Sequence, residues 1–184
     1  MKRCFIFILL LLLTQANANA DEQDLNQRYV YVPQTELKLV KTFSDWEVYH
    51  QISNSTTKCY AFASSYRTKA FEGVREAPYL IISFKGTKQY SISLNPGFLI
   101  DKNNEIILKT NNRSYLLNSA LPNYAWTYSS TQDKAIIEDM IKDGRSLSVR
   151  SYNVSDDTAL DFYSLKGMAE ALKYMEENCL IFYN

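Results

Sequence analysis

The 184-residue chain has one histidine, three cysteines, no excess of charge of either sign, and no apolar run of membrane-spanning length. Each shortage excludes something. A Ser-His-Asp or Cys-His arrangement has to use His50 or not exist. One histidine with scattered cysteines makes no zinc-ligand spacing, so no metal and no cofactor is expected. Twenty Lys and Arg balance twenty Asp and Glu, and they form no basic stripe. That argues against nucleic acid and against an anionic membrane surface as partners. Neither G-x-G-x-x-G nor G-x-x-x-x-G-K occurs, so there is no phosphate-binding glycine loop. Internal repeats and low-complexity tracts are also missing.

The N-terminus indicates the compartment. Lys2 and Arg3 are followed by the apolar run Phe5 to Leu13 and then by Thr14-Gln15-Ala16-Asn17-Ala18-Asn19-Ala20. A basic start, a short apolar stretch and small residues at positions 18 and 20 read as a secretory signal peptide, residues 1–20, cut before Asp21. The alternative is a retained anchor, but a helical span takes roughly 20 apolar residues. Cys4 precedes the apolar run, where no lipid-attachment motif places it. Cleavage leaves a polar extension at 21–36 and one domain at 37–184, with no integral membrane segment. The expected location is the periplasm, the cell surface or the medium. Cleavage also removes Cys4 and leaves Cys59 and Cys179. An even pair in an oxidising compartment reads as one disulfide, and the alternative is two free buried thiols.

What the chain does have is many short β-type runs. Arg28–Val32, Leu37–Thr42, Asp45–Ile52, Lys58–Ser64, Tyr79–Lys85, Gln89–Leu94, Glu105–Lys109, Ser114–Asn118, Tyr124–Tyr128, Ser146–Tyr152 and Ala159–Tyr163 are rich in Tyr, Val, Ile, Phe and Thr. Lys85-Gly86-Thr87, Asn95-Pro96-Gly97 and Leu121-Pro122-Asn123 punctuate them. Asp101-Lys102-Asn103-Asn104 is a hairpin signal between Phe98-Leu99-Ile100 and Ile106-Ile107-Leu108. Short strands at this spacing predict a mainly β sandwich or barrel. Two helices are predicted. The first follows Ser129-Ser130-Thr131, carries Ala135, Ile136, Ile137, Met140 and Ile141, and stops at Gly144. The second is capped by Ser164, carries Leu165, Met168, Ala169, Leu172 and Met175, and ends at Asn178.

Three groups of residues could carry chemistry, and each has a plainer reading. Tyr124, Trp126 and Tyr128 alternate, so a strand would project them from one face as an aromatic row suited to stacking on sugar rings. Core packing explains the same residues. Asp156, Asp157 and Asp161 form a carboxylate cluster without the glycine and spacing of a calcium loop, which fits a solvated turn. His50 shares a strand face with Trp46 and Val48, and it reads as a catalytic base or as a strand-end filler.

The order of several segments resembles the invasion-associated locus B family of bacterial exported proteins. They are Phe43-Ser44-Asp45-Trp46-Glu47-Val48, Cys59-Tyr60-Ala61-Phe62-Ala63, Pro78-Tyr79-Leu80-Ile81-Ile82, Gly97-Phe98, Ala125-Trp126, Gly144-Arg145-Ser146-Leu147-Ser148-Val149, Phe162-Tyr163-Ser164-Leu165-Lys166-Gly167-Met168, Ala171-Leu172 and Cys179. The resemblance implies an immunoglobulin-like antiparallel β-sandwich with two short helices, export, and an association with bacterial invasion of host cells. It supplies no catalytic residues, so the expectation is a protein that is not an enzyme. Family members commonly carry a cysteine where this chain has His50. That difference leaves Cys59 to pair with Cys179 or to remain free beside His50, whose imidazole would then lower the thiol pKa. The expected partner is a protein or glycan of the envelope or of a host surface. The alternative function is a periplasmic ligand-binding or chaperone-like module using the aromatic face around Trp126.

Overall fold

The computed structural model describes residues 37–53, 56–86, 88–111 and 113–179. The expected signal peptide, the extension through residue 36, the strand Arg28–Val32 and residues 180–184 lie outside the described residues. The strands are β1 Leu37–Phe43, β2 Trp46–Ser53, β3 Thr56–Ser64, β4 Arg67–Lys69, β5 Tyr79–Gly86, β6 Gln89–Asn95, β7 Ile106–Lys109, β8 Ser114–Leu121, β9 Tyr124–Trp126, β10 Ser146–Tyr152 and β11 Thr158–Ser164. The helices are α1 Ser130–Asp143 and α2 Met168–Asn178. No helix among the described residues is long and apolar enough to cross a membrane.

The strands pair antiparallel in the spatial order β1-β2-β3-β5-β6-β9-β8-β7-β10-β11-β4. β4 follows β3 after only Ser65 and Tyr66, yet it sits at the far end of this order. The sheet therefore has to fold back on itself. At the crossing, Ser65 N donates to Pro78 O and Tyr66 N donates to Phe162 O, both at 3.0 Å. One layer is β1, β2, β3, β5, β6 and β9, and the other is β7, β10, β11 and β4. β8 joins them, pairing with β7 at one end and β9 at the other. This is the expected antiparallel sandwich with two short helices.

Period-two patterning places the core between the layers. Trp46 and Val48 of β2, Ala61 and Ala63 of β3, Leu80 and Ile82 of β5, Leu147 and Val149 of β10 and Tyr163 of β11 are all buried in one cluster. β5 is buried on both faces, since Ile81 and Ser83 are covered as well. The outermost strands carry Lys38, Lys41, Arg67 and Lys69, and such residues discourage strand addition at an open edge. Asp161 points inward from β11 and is 1% exposed. Its charge is met by Arg75, which also donates to Pro96 O at 2.7 Å and lies over the rings of Phe71 and Phe98.

The first helix matches its prediction. Ser129 caps it, accepting from Gln132 N at 3.1 Å, and Gly144 closes it with φ 66° and an N–H bond to Met140 O. The second differs at its start. Ser164 is held in β11 opposite Ser146, so α2 begins at Met168 with Gly167 as its N-cap. Gly167 has φ 90°, and a Cβ there would overlap the Phe43 carbonyl, so only glycine fits. Ala169 is exposed, and Ala171 takes the expected core position beside Met168, Leu172 and Met175.

The expected hairpin around Asp101-Lys102-Asn103-Asn104 is corrected. The turn forms, with Asp101 Oδ1 accepting from Asn103 N at 3.0 Å. However, Ile100 bridges to Asn153 while Ile107 pairs with Arg150, so both flanks run along the same neighbouring line of chain. The tetrapeptide is an outward loop between two pieces of one strand line.

Candidate functional site

The structure spreads the three alternating aromatics over different environments. β9 ends at Trp126, which is 6% exposed. Tyr128 lies beyond the strand and is 60% exposed, with its N–H bonded to Gln132 Oε1. Tyr124 is half-buried, and its hydroxyl meets that of Tyr79 at 2.8 Å. The three do not line up as one exposed row.

Aromatic side chains are instead arranged across the strands, on the face of the first layer opposite the core. Tyr49 of β2 meets Phe62 of β3 edge-on at 5.2 Å, and Phe62 meets Tyr79 of β5 at 5.8 Å. Tyr124 of β9 continues the strip through Tyr79. This order arises from register, since Glu47 is opposite Phe62 and Ser64 is opposite Tyr79.

An open cleft of about 610 Å³ lies at the end of this strip. Thr42, Ser44, Asp45 and Glu47 come from the hairpin of β1 and β2. Phe62, Ser64, Ser65 and Tyr66 come from β3 and the crossing to β4, Arg145 immediately precedes β10, and Ser164 ends β11. Three local features shape it. Ser44 takes a left-handed conformation, φ 52°, in the two-residue turn. Asp45 N donates to Lys166 O at 3.3 Å. The Trp46 indole N–H donates to Ser164 O at 2.9 Å and ties the hairpin to β11. Asp45, Glu47 and Arg145 are exposed, as is Tyr66. Glu47 Oε2 accepts from the Tyr49 hydroxyl at 2.7 Å. Burial first, and then that carboxylate, push the Tyr49 pKa up to about 12, so the phenol is a neutral donor. The cleft thus offers carboxylate and hydroxyl acceptors, one guanidinium and two aromatic faces. No histidine or cysteine lines it. Sequence reading missed the cleft because its walls come from four separate stretches of chain.

A second cluster lies on the core side. His50 and Cys59 are cross-strand partners in β2 and β3, and Cys179 follows the last turn of α2. Cys59 and Cys179 form a disulfide with Cα atoms 6.0 Å apart, both sulfurs being buried. This decides between the two thiol readings left open above. His50 Nε2 stands 3.5 Å from Cys179 Sγ, and its ring stacks on Tyr174 at 6.4 Å. Burial, and then Lys38 opposite it on β1, hold the His50 pKa below its usual value. The three aspartates do not gather. Asp161 is paired with Arg75, Asp157 accepts from Asn153, and Asp156 accepts from Asn104.

No family model matches the sequence, and no curated protein matches it. Among solved structures the chain is similar to invasion associated protein b from Bartonella henselae, with a TM-score of 0.54 and 14% identity over 75% of this chain and 96% of that one. The two share a fold.

Proposed function

We propose that this chain is an exported envelope protein of the invasion-associated locus B kind, and that it works by binding rather than by catalysis. The observation that carries the reading is the fold, which accounts for 96% of the Bartonella protein. The disulfide supports export, because such bonds persist in oxidising compartments. The cleft with its aromatic strip is the surface through which it binds a glycan or a polypeptide. Ring faces stack on sugars or prolines there, while Asp45, Glu47 and the serine hydroxyls bond to ligand donors. The chaperone-like alternative needs an open sheet edge, and the lysines of β1 and β4 count against it.

Export and binding are tested separately. Cell fractionation with N-terminal sequencing should find the protein outside the cytoplasm and starting at Asp21. An uncleaved cytoplasmic protein would contradict the reading. Fluorescently labelled mature protein should bind cultured host cells or isolated envelope glycans. The double variant Glu47→Ala, Tyr66→Ala should bind about tenfold or more weakly at unchanged melting temperature, the loss of roughly 1.4 kcal/mol or more. Undiminished binding would remove the cleft from the proposal.

A further inference from the structure

The cluster at the end of α2 has a use beyond the disulfide. His50 Nε2, Cys59 Sγ and Cys179 Sγ all lie within 4.8 Å of one another. Two of these atoms already stand as metal ligands do. Zinc bonds of about 2.3 Å to sulfur and about 2.0 Å to imidazole nitrogen, at a tetrahedral angle, put the ligand atoms roughly 3.5 Å apart. His50 Nε2 and Cys179 Sγ are 3.5 Å apart. Once the S–S bond is gone, the sulfurs need only part to about 3.8 Å, the separation of two thiolates on one zinc. The backbone around the site is fixed independently of the sulfurs. His50 and Cys59 are held by strand pairing, and Cys179 N is bonded to Met175 O at 2.9 Å.

We propose that the reduced protein binds a thiophilic d10 cation, zinc(II) or copper(I), through His50, Cys59 and Cys179. The same three side chains are then a disulfide clamp when oxidised and a Cys2His metal site when reduced. Three protein ligands leave a fourth position for water on zinc, and three suffice for copper(I). The chemistry balances with a trialkylphosphine as reductant. The phosphine takes oxygen from water and becomes its oxide, while the disulfide accepts two electrons and two protons. The cation then displaces both thiol protons. The metal replaces the covalent tie between β3 and α2, so it holds the helix in place in the absence of the disulfide.

The test uses the mature chain, from Asp21 onward and so without Cys4, reduced with phosphine under anaerobic conditions and titrated with zinc against a chromophoric chelator. A second arm titrates copper(I) against bicinchoninate. The expected result is one metal per chain, with affinity falling about 100-fold in His50→Ala and binding lost in Cys59→Ser. Cobalt(II) used in place of zinc should give a thiolate charge-transfer band that weakens in the same variants. Absence of binding by the reduced chain, or equal affinity in His50→Ala, would overturn the proposal. If reduction unfolds the chain, either metal should restore its near-ultraviolet circular dichroism, and failure of both to do so would also overturn it. Tighter binding in one arm identifies the cation.

Discussion

Asp139 shows how a single side chain on α1 is wired into the neighbouring sheet. It accepts from Arg113 Nε at 2.9 Å, from the Tyr115 hydroxyl at 2.7 Å and from Thr110 Oγ1 at 3.3 Å. The Arg113 bonds are the main reason its pKa falls from 3.8 to about 2, and burial works in the opposite direction. A carboxylate whose folded pKa is depressed contributes stability above its unfolded pKa and loses that contribution as pH falls through its folded value. Acid titration followed by circular dichroism should therefore show stability declining from about pH 4 to about pH 2. In Asp139→Asn that part of the decline should be missing and the neutral-pH stability lower. An unchanged acid limb in the variant would show that the ion pair is not formed in solution. At the same scale His50 and Cys59 are instructive. Their adjacency followed from the resemblance, in which a cysteine at the His50 position pairs with the one at Cys59, and the β2–β3 register places them opposite each other.

At the scale of elements, the ends of α1 depend on side-chain chemistry that is written locally. Ser129→Ala removes the acceptor for Gln132 N and should cost about 1 kcal/mol, measured by urea unfolding, with the fold otherwise retained. A loss near zero would mean that water replaces the cap. Such signals were legible in the sequence, as were most strands, because alternation and turn residues act over a few positions. α2 was legible as a helix but not at its first turn. Ser164 is a good cap by type, yet its pairing with Ser146 in β11 outweighs local preference. β4 carried no signal, since Arg67, Thr68 and Lys69 are all exposed and the strand exists only by pairing with β11. The outward loop at Asp101 was misread as a hairpin because turn residues report a reversal and not the partner of the strand that follows. The cleft was invisible for the same kind of reason, since Arg145 and Tyr66 come to line one cleft only after the layers close.

For the whole molecule, the disulfide joins residues separated by 120 positions. Closing so long a loop restricts the unfolded chain, and the chain-entropy model gives up to about 5 kcal/mol. The double variant Cys59→Ala, Cys179→Ala should lose a large share of this in denaturant unfolding while keeping the strand signal of the native protein. A loss below about 1 kcal/mol would mean that α2 and its core contacts hold that end of the fold without the bond.

The return of β4 to the far end of the sheet has a consequence for how the protein comes into being. Trp46 is bonded to Ser164, Thr68 to Asp161 and Tyr90 to Glu176, ties that span 118, 93 and 86 positions. A topology of such non-local contacts folds slowly, because long loops must close before any contact rewards the closure. A chain delivered N-terminus first, from a ribosome or through a translocation pore, cannot cover its first layer until β10, β11 and α2 have emerged. Until then β3 and β5 wait with uncovered apolar faces, the kind of species that folding helpers retain and that aggregation consumes.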